Sequence, residues 1–414
     1  MGQLPNMKIT FISQYFFPEQ FSNTDITRHL HDAAHHDVHV ITGVPNYPAG
    51  AFFPGYSNTK NREQYWNGLH ISRSWTKARG TGALSLLLNY ITFPITGGWT
   101  ALRKTKARPD VSLVSMPSPV SQALVSIILK WRYGTPAVYW VQDIWPESAL
   151  YTLKIKNPLI VKPLTWLCGW IYRRADLVLV QSAAFPAMIE RFGVPAEKVR
   201  VFPNTAPDSY RPLPRDPDSF AGKLMPKTGF NLVFAGNIGE SQDFDTYIEA
   251  AHLLRHREHL NWVIIGSGRD MGRVQQMLEN RGLADAFYFL GRHPEEAMPD
   301  FFSHADAMLV GLKDNPIFRL TVPYKVQCYM ACGRPIIASL NGEGSRIIDE
   351  AQAGITSPAQ AARELALKIE SMMDMSAENR AKFGRNGRAY FEKNYEAKKV
   401  YADLEKWLKL AAAS

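Results

Sequence analysis

Cysteine is scarce in this chain of 414 residues, which contains only Cys168, Cys328 and Cys332. Three cysteines provide no disulfide framework and no second metal-type pair, so we expect a reducing, cytoplasmic setting. A signal peptide is not expected, because the first apolar run, residues 9–12, has only the length of a strand. No small-residue cleavage site follows that run.

The apolar stretch at residues 83–99 is too short to cross a bilayer, and a proline and two glycines interrupt it. Acidic residues are scarce around it. Residues 60–108 contain nine lysines and arginines and a single acid, Glu63, and therefore hold nearly all of the net charge of +9.

Residues 73–108 are therefore interpreted as a surface for an anionic membrane leaflet, with Tyr90, Phe93 and Trp99 near the lipid headgroups. A buried helix with solvated flanks explains the same residues almost equally well. Nucleic acid is not an expected partner, because no recognised binding motif accompanies the charge. The expected location is the cytoplasm, peripheral on the inner face of the cytoplasmic membrane. The flanking cations are Arg73, Lys77, Arg79, Arg103, Lys104, Lys106 and Arg108.

The length of the chain suggests two domains of about 200 residues each. Short apolar runs alternate with helical stretches in both halves, which predicts doubly wound parallel sheets of the α/β class. The predicted strands are residues 8–13, 38–42, 111–114, 137–141 and 177–180, then 231–235, 262–265, 286–290, 307–310 and 335–338.

Five prolines between residues 203 and 217 break this alternation and indicate an interdomain linker. The predicted domains are residues 1–205, which bind the acceptor and face the membrane, and residues 206–390, which bind the nucleotide sugar. Residues 391–414 continue a helical stretch with more aromatic side chains than a free tail needs. We expect this last segment to pack across the junction, back to the N-terminal domain.

Residues 323–345 read as a helix, a glycine stop, a buried strand and a glycine-rich turn into a second helix. At such a turn, unpaired backbone N–H groups and the positive end of a helix dipole can hold a phosphate. An ordinary βα turn is an equally good interpretation. The turn contains Gly342, Glu343, Gly344 and Ser345.

Several short motifs follow one another in a recognisable order. They are ADLVLVQS at 175–182, VRVFPN at 199–204, FAGN at 234–237, VIIGSG at 263–268 and MACGRP at 330–335. This series resembles glycosyltransferase family 4, whose GT-B fold consists of two facing Rossmann-like domains. Three N-terminal pieces are most similar to bacterial O-antigen and capsule transferases of the L-fucosamine type: QYFFPE at 14–19, PNYP at 45–48 and QDIWPE at 142–147.

The resemblance implies a retaining, metal-independent hexosyltransferase that uses a nucleotide-sugar donor, expected to be a UDP sugar, and no cofactor. The implied acceptor is a polyprenyl-diphosphate-linked saccharide of O-antigen, capsule or exopolysaccharide synthesis. The transferred sugar is expected to be an N-acetylated hexose, 6-deoxy forms included. Two alternatives remain: a sugar-nucleotide 2-epimerase, which shares the fold but has no lipid acceptor, and a catalytically inactive scaffold at the membrane.

The sequence departs from the family pattern where many members carry two glutamates, because Leu320 and Cys328 occupy those positions. The arginine and lysine that often hold the diphosphate are replaced by Asn237 and, approximately, Gln242. Without a metal, cations and oriented N–H groups must stabilise the leaving diphosphate. The substitutes that we predict are Lys325 and Arg319, although Arg319 fits a simple surface charge nearly as well.

Asp143 follows the strand at 137–141 and is expected to accept the proton of the acceptor hydroxyl group or to orient the sugar, with Glu147 as the second candidate. Either side chain can instead cap the helix that follows Pro146. Further donor-binding residues are implied by the resemblance. They are Ser22 and Asn23, which replace a Gly-Gly pair of many relatives, then Gly236, Asn237 and Gly239 in the matching loop, and Arg292 near the nucleotide base.

Overall fold

A computed structural model describes residues 6–19, 21–80, 82–152 and 155–413, which form two compact units. Unit 1 comprises the described residues up to Phe202 together with those from Tyr401 onward, and unit 2 comprises Pro203–Val400. The first boundary lies close to the predicted one at residue 205. The second boundary falls inside the predicted C-terminal segment, because residues 391–400 belong to unit 2.

The sheet of unit 1 is built from β1 (Lys8–Ser13), β2 (Asp37–Thr42), β3 (Glu63–Trp66), β4 (Leu69–Arg73), β5 (Val111–Met116), β6 (Ala137–Val141), β7 (Leu177–Val180) and β8 (Val199–Val201). Within the described residues these strands lie in the order β3-β4-β2-β1-β5-β6-β7-β8. All neighbours are parallel except the antiparallel pair of β3 and β4. Every residue of β5 and β6 is buried, which explains their apolar runs.

The helices of unit 1 are α1 (Asn23–Arg28), α2 (Ala83–Lys104), α3 (Leu124–Tyr133), α4 (Glu147–Thr152), α5 (Pro158–Tyr172) and α6 (Pro186–Glu190). Helix α2 packs along α3, and the short turn Val120–Ala123 contacts both α2 and α5. Right-handed crossovers place these three helices on one face of the sheet.

Unit 2 contains a second, entirely parallel sheet. Its strands are β9 (Phe230–Ala235), β10 (Leu260–Ile265), β11 (Phe287–Gly291), β12 (Ala307–Gly311), β13 (Ile336–Ser339) and β14 (Gly354–Ser357). Their order is β11-β10-β9-β12-β13-β14. Its helices are α7 (Phe220–Leu224), α8 (Phe244–Leu253), α9 (Met271–Asn280), α10 (Met298–Ser303), α11 (Tyr324–Ala331), α12 (Glu343–Glu350), α13 (Ala362–Asp374) and α14 (Ala377–Asn394).

The last helix, α15 (Ala397–Ala413), begins in unit 2 and packs onto unit 1. Its Trp407 ring lies edge-on to Phe202, with 6.3 Å between the ring centroids. Glu405 lies 3.8 Å from the His29 imidazole, and Leu404 is fully buried. The prediction of a C-terminal helix that returns to the N-terminal domain is therefore confirmed, as are the two doubly wound α/β sheets.

Candidate active site

Lys325 lies at the carboxyl end of β9, the edge of a parallel sheet where such folds bind ligands. It is the second residue of α11, and its Nζ atom would lie 3.1 Å from a Cβ atom built on Gly236. Gly236 follows β9 directly and has φ +142°, a conformation that residues with a side chain rarely adopt. Because glycine has no Cβ atom, the ammonium group of Lys325 can lie close to the backbone at this position.

The ammonium group of Lys325 has only uncharged neighbours among its recorded contacts. Nζ donates a 2.7 Å hydrogen bond to Gln242 Oε1 and lies 3.8 Å from the centroid of the Phe234 ring. None of the ion pairs of the described residues includes Lys325. Burial lowers the pKa of Lys325 to about 7. An anion beside it would restore the charge, so this point of unit 2 is suited to a phosphate group.

The loops after β9 and β10 interlock beside Lys325. A Cβ atom on Gly266 would lie 1.9 Å from the Gly236 carbonyl oxygen, and one on Gly268 would lie 2.0 Å from that of Ile238. The Ile238 N–H donates to the Ser267 carbonyl at 3.0 Å. Residues 266–268 thus form a tight turn against the loop that follows β9. Asn237 is exposed in the same loop, and a Cβ atom built on Gly239 would lie 2.6 Å from its amide nitrogen.

Most of the predicted phosphate turn, residues 343–345, forms the first turn of helix α12, which begins at Glu343. Gly342 precedes it with φ +79°, and its Cα is packed against the backbone of Arg319. Glu343 is buried and accepts hydrogen bonds of 2.7 and 2.8 Å from Arg346. Ser345 is half-buried in the first turn of this helix.

Arg319 is exposed and forms an ion pair with a carboxylate. Its Nε and Nη2 atoms donate to the two oxygens of Asp314 at 2.7 and 2.6 Å. These hydrogen bonds hold the pKa of Asp314 at about 2, so the pair is ionised at neutral pH. Arg319 therefore has an acidic partner, whereas no recorded ion pair of the described residues includes Lys325. Arg292, the residue predicted to lie near the base, is exposed directly after β11.

Asn23, which we predicted to approach the donor, is fully buried in unit 1. Its Nδ2 donates to Ser13 Oγ and to the Tyr15 carbonyl, and its Oδ1 accepts a 2.6 Å hydrogen bond from Ser115 Oγ. The side chain therefore ties β1 to β5 and has a structural role. Ser22 is half-buried immediately before α1, and its carbonyl accepts the Ile26 N–H.

Asp143 follows β6 and lines a cavity of about 260 Å³ within unit 1. Burial raises the pKa of Asp143 to about 6, against the smaller opposing effects of Ser148 and Trp145. Glu147 starts α4 and pairs with Arg191, which fits a structural role for it. The other lining residues are Tyr15, Phe21, Tyr47, Arg79, Leu86, Tyr90, Pro117, Ser118, Trp145, Ser148 and Ala149.

Sequence reasoning missed two charged groups, Arg79, which lines this cavity, and Glu19, which does not line it but binds the backbone of Tyr47, a lining residue. Arg79 was counted only as one of the cations around the apolar segment, whereas it lines the cavity. Glu19 was not singled out, although it is 3% exposed and accepts backbone N–H groups of Phe16, Asn46 and Tyr47. The sequence did contain a signal for Glu19, because this glutamate follows a buried strand and a short aromatic loop. No comparable signal identified Arg79.

The structure corrects part of the predicted membrane surface. Arg73 is 1% exposed and donates to the carbonyls of Phe17 and Gly43, so it cannot reach a headgroup. Phe93 is fully buried and Tyr90 lines the cavity, which leaves Trp99 as the exposed aromatic residue of the predicted three. The large exposed apolar side chains of α2 lie on one side of the helix and form one stripe: Leu84, Leu87, Leu88, Ile91, Ile95 and Trp99.

In the described part of the chain, no helix is both long enough and apolar enough to cross a membrane. Over the same residues, His, Cys, Asp and Glu nowhere gather in a group of three or more that could hold a metal ion. Metal independence stays a prediction.

Two doubly wound α/β units, one with Lys325 at the carboxyl end of β9 and one with Asp143 in a cavity, fit the class of two-domain sugar transferases. Two family models match the chain. They are the Glycosyl transferase 4-like domain, over residues 23–205, and Glycosyl transferases group 1, over residues 216–390. The chain belongs to glycosyltransferase family 4.

Known proteins agree with this assignment. The chain is 25% identical over 281 residues to WcaI of Escherichia coli K12, provisionally named a colanic acid biosynthesis glycosyl transferase; the match covers 66% of this chain and 68% of WcaI. The structure of sucrose-phosphate synthase from Thermosynechococcus elongatus matches with TM-score 0.77 and 16% identity, covering 99% of this chain and 100% of that one. Anabaena HepE in complex with UDP and glucose matches with TM-score 0.71 and 17% identity, covering 98% and 100%. The fold is therefore GT-B.

Proposed function

We propose that this chain is a retaining, metal-independent transferase of cell-surface polysaccharide synthesis. Unit 2 binds a UDP sugar, and unit 1 binds a polyprenyl-diphosphate-linked saccharide. The transferred sugar is an N-acetylated hexose, 6-deoxy forms included. The observation that carries the proposal is the ammonium group of Lys325, which lies beside Gly236 with no carboxylate among its contacts. The name of WcaI and the nucleotide in the HepE complex support it.

In this proposal, Lys325 stabilises the negative charge that develops on the leaving diphosphate. A cation fixed in a partly dry site stabilises such a charge far more than one in water. The remaining donor contacts are expected from Asn237, Gly239 and the first turn of α12. Arg319, already paired with Asp314, contributes less.

Asp143 is proposed to take the proton of the acceptor hydroxyl group. Because its pKa is about 6, the carboxyl group is ionised at neutral pH yet more basic than an ordinary aspartate. In a front-face retaining reaction, the leaving phosphate can take this proton in place of Asp143. Substitution of Asp143 should slow the reaction strongly only if Asp143 is the base.

The proposed membrane contact is the face that carries α2 and α5. Leu159, Ile160 and Trp166 of α5 are exposed, in addition to the apolar stripe of α2. Helices α2, α3 and α5 contain no Asp or Glu but five cations, of which Lys104 and Lys130 are paired with Glu63 and Asp176. An apolar face with basic residues and no acid of its own is suited to an anionic leaflet.

Calorimetric titration with a panel of nucleotide sugars tests the donor site, and incubation of the best ligand with lipid-linked saccharides tests transfer. We expect UDP-sugar binding that Lys325→Ala weakens, and formation of a glycosylated lipid product. An epimerised sugar nucleotide released without acceptor consumption would instead identify a 2-epimerase. Absence of both binding and turnover would identify an inactive scaffold.

A further inference from the structure

The cavity of unit 1 contains a cation that the proposed reaction does not yet use. Among the described residues that line it, Arg79 is the one cation and Asp143 the one acid. At about 260 Å³ the cavity is smaller than the roughly 300–1,000 Å³ of pockets for drug-sized ligands, so it is suited to one sugar ring with a single charged group beside it.

Two aromatic rings hold the Arg79 guanidinium in place. Its Cζ atom lies 5.3 Å from the centroid of the Tyr47 ring and 6.0 Å from that of the Tyr90 ring. Nη1 donates a long hydrogen bond of 3.4 Å to the Tyr15 hydroxyl group. No carboxylate pairs with Arg79 in the residues that the structure describes. A guanidinium placed this way retains donors for a phosphate or a carboxylate.

The backbone around Arg79 is fixed by buried amide side chains. Asn46 Oδ1 accepts the Arg79 N–H at 2.9 Å, and Asn46 Nδ2 donates to the Val44 carbonyl at 2.8 Å. Asn89 donates to the Lys77 carbonyl at 2.6 Å and accepts from Gln14 at 2.6 Å. The position of the cation is therefore built into unit 1.

Glu19 is a buried acid that binds the backbone of Asn46 and Tyr47 close to the cavity, and it does not form an ion pair with Arg79. Oε1 accepts the N–H groups of Asn46 and Tyr47 at 2.7 Å each, and Oε2 accepts that of Phe16 at 3.1 Å. Burial raises the pKa of Glu19 to about 7, so its negative charge is only partly developed at neutral pH. Glu19 thus positions Tyr47 while leaving the charge of Arg79 in place.

We propose that the cavity of unit 1 recognises an anionic group of the acceptor, a phosphate or a carboxylate, which Arg79 binds beside the sugar ring whose hydroxyl group reaches Asp143. This inference rests on the proposed function, because it assigns the chemistry of the acceptor in that reaction. The aromatic side chains of Tyr47, Tyr90 and Trp145 supply flat apolar surfaces for the ring. A phosphate would come from the lipid diphosphate, and a carboxylate from an acidic sugar.

Calorimetric titrations distinguish these sources with three probes built on one N-acetylhexosamine: a short prenyl diphosphate conjugate, an octyl glycoside extended by a uronic acid, and the neutral octyl glycoside. The Lys325→Ala background removes the phosphate site of unit 2. We expect one anionic probe to bind about 10- to 100-fold more tightly than the neutral one, as for a hydrogen-bonded charge. Arg79→Gln should abolish this preference, and Arg79→Lys should restore most of it.

Two results would overturn the inference. One is equal or absent binding of all three probes to the Lys325→Ala protein. The other is an equal weakening of all three by Arg79→Gln, which would give Arg79 a purely structural role. Neither result touches the proposed function, which fails separately if the unsubstituted protein neither binds UDP sugars nor forms a glycosylated product.

Discussion

Lys325 Nζ donates a 2.7 Å hydrogen bond to Gln242 Oε1, so the cation of the proposed donor site is paired with a neutral amide. Gln242→Glu would convert this contact into an ion pair, raise the pKa of Lys325 and add a negative charge beside the donor. We expect UDP-sugar binding to weaken about tenfold or more by calorimetry. Gln276→Glu on the exposed face of α9 adds the same charge and should leave the affinity unchanged. Equal effects of the two substitutions would contradict a local role for Lys325.

Donor binding should depend on pH through Lys325. Because burial holds its pKa at about 7, the protonated fraction falls as the pH rises above 7, whereas a bound diphosphate favours the protonated form. The dissociation constant of a UDP sugar should therefore rise by up to about tenfold per pH unit between pH 7 and 9. Lys325→Arg, which stays charged, should flatten this dependence. A flat profile for the unsubstituted protein would argue against the assignment.

Asp143→Asn separates proton transfer from donor binding. If Asp143 is the general base, kcat should fall by about 10²- to 10⁴-fold while the UDP-sugar affinity is retained, because the cavity lies in unit 1. In the unsubstituted enzyme, kcat should fall as the pH drops below about 6, where Asp143 becomes protonated. Glu147→Gln is the matched control and should retain most activity. Near-normal kcat in Asp143→Asn would favour the leaving phosphate as the base.

Gly266 and Gly272 provide a paired test of the loop beside Lys325. Gly266→Ala would place a Cβ atom 1.9 Å from the Gly236 carbonyl oxygen, at φ +141°. We expect a loss of about 2 kcal/mol or more in the free energy of unfolding, measured with urea, and weaker donor binding. Gly272→Ala meets no atom within 4 Å in α9 and should be neutral or stabilise by about 0.5–1 kcal/mol. Similar behaviour of the two variants would refute this account of the loop.

The apolar stripe of α2 should determine membrane binding. Replacing Leu87, Ile91 and Ile95 together by serine removes exposed apolar surface from the middle of the helix. We expect at least about a tenfold drop in partitioning to phosphatidylglycerol vesicles in a flotation assay, with unchanged UDP-sugar binding.

The control for this variant replaces three exposed leucines of unit 2, Leu224, Leu253 and Leu367, by serine. It removes a comparable apolar area elsewhere and should leave vesicle binding intact. If the two triple variants lose binding equally, or neither does, the stripe is not the membrane surface.

The sequence predicted the buried parallel strands well, because a strand covered on both faces appears as an uninterrupted apolar run. It missed four strands: β3 and β14, which are partly exposed and polar, β4, which is largely buried but carries polar residues between its apolar ones, and β8, which has three residues. Such strands form because they pair with a neighbouring strand, and no local sequence pattern indicates that pairing.

The same contrast applies to the candidate site residues, because the local sequence indicated the residues but not their surroundings. Lys325 was predicted from its place at the start of a helix and Asp143 from its place after a strand, and both assignments stay predictions. Their environments were not predictable, because Gln242 and Phe234 come from segments more than 80 residues before Lys325, and the cavity gathers loops from residue 15 to residue 149. Burial then sets both pKa values, and burial is a property of the assembled fold.

Helix α15 makes unit 1 a discontinuous domain and unit 2 an insertion within it. On the ribosome, every residue of unit 2 is therefore synthesised before Trp407 is available to cover Phe202. Unit 2 can therefore reach its native structure first. Until α15 is synthesised, the core of unit 1 is incomplete, and the apolar surface near β8 is exposed to solvent or to chaperones. The chain thus completes its N-terminal domain last.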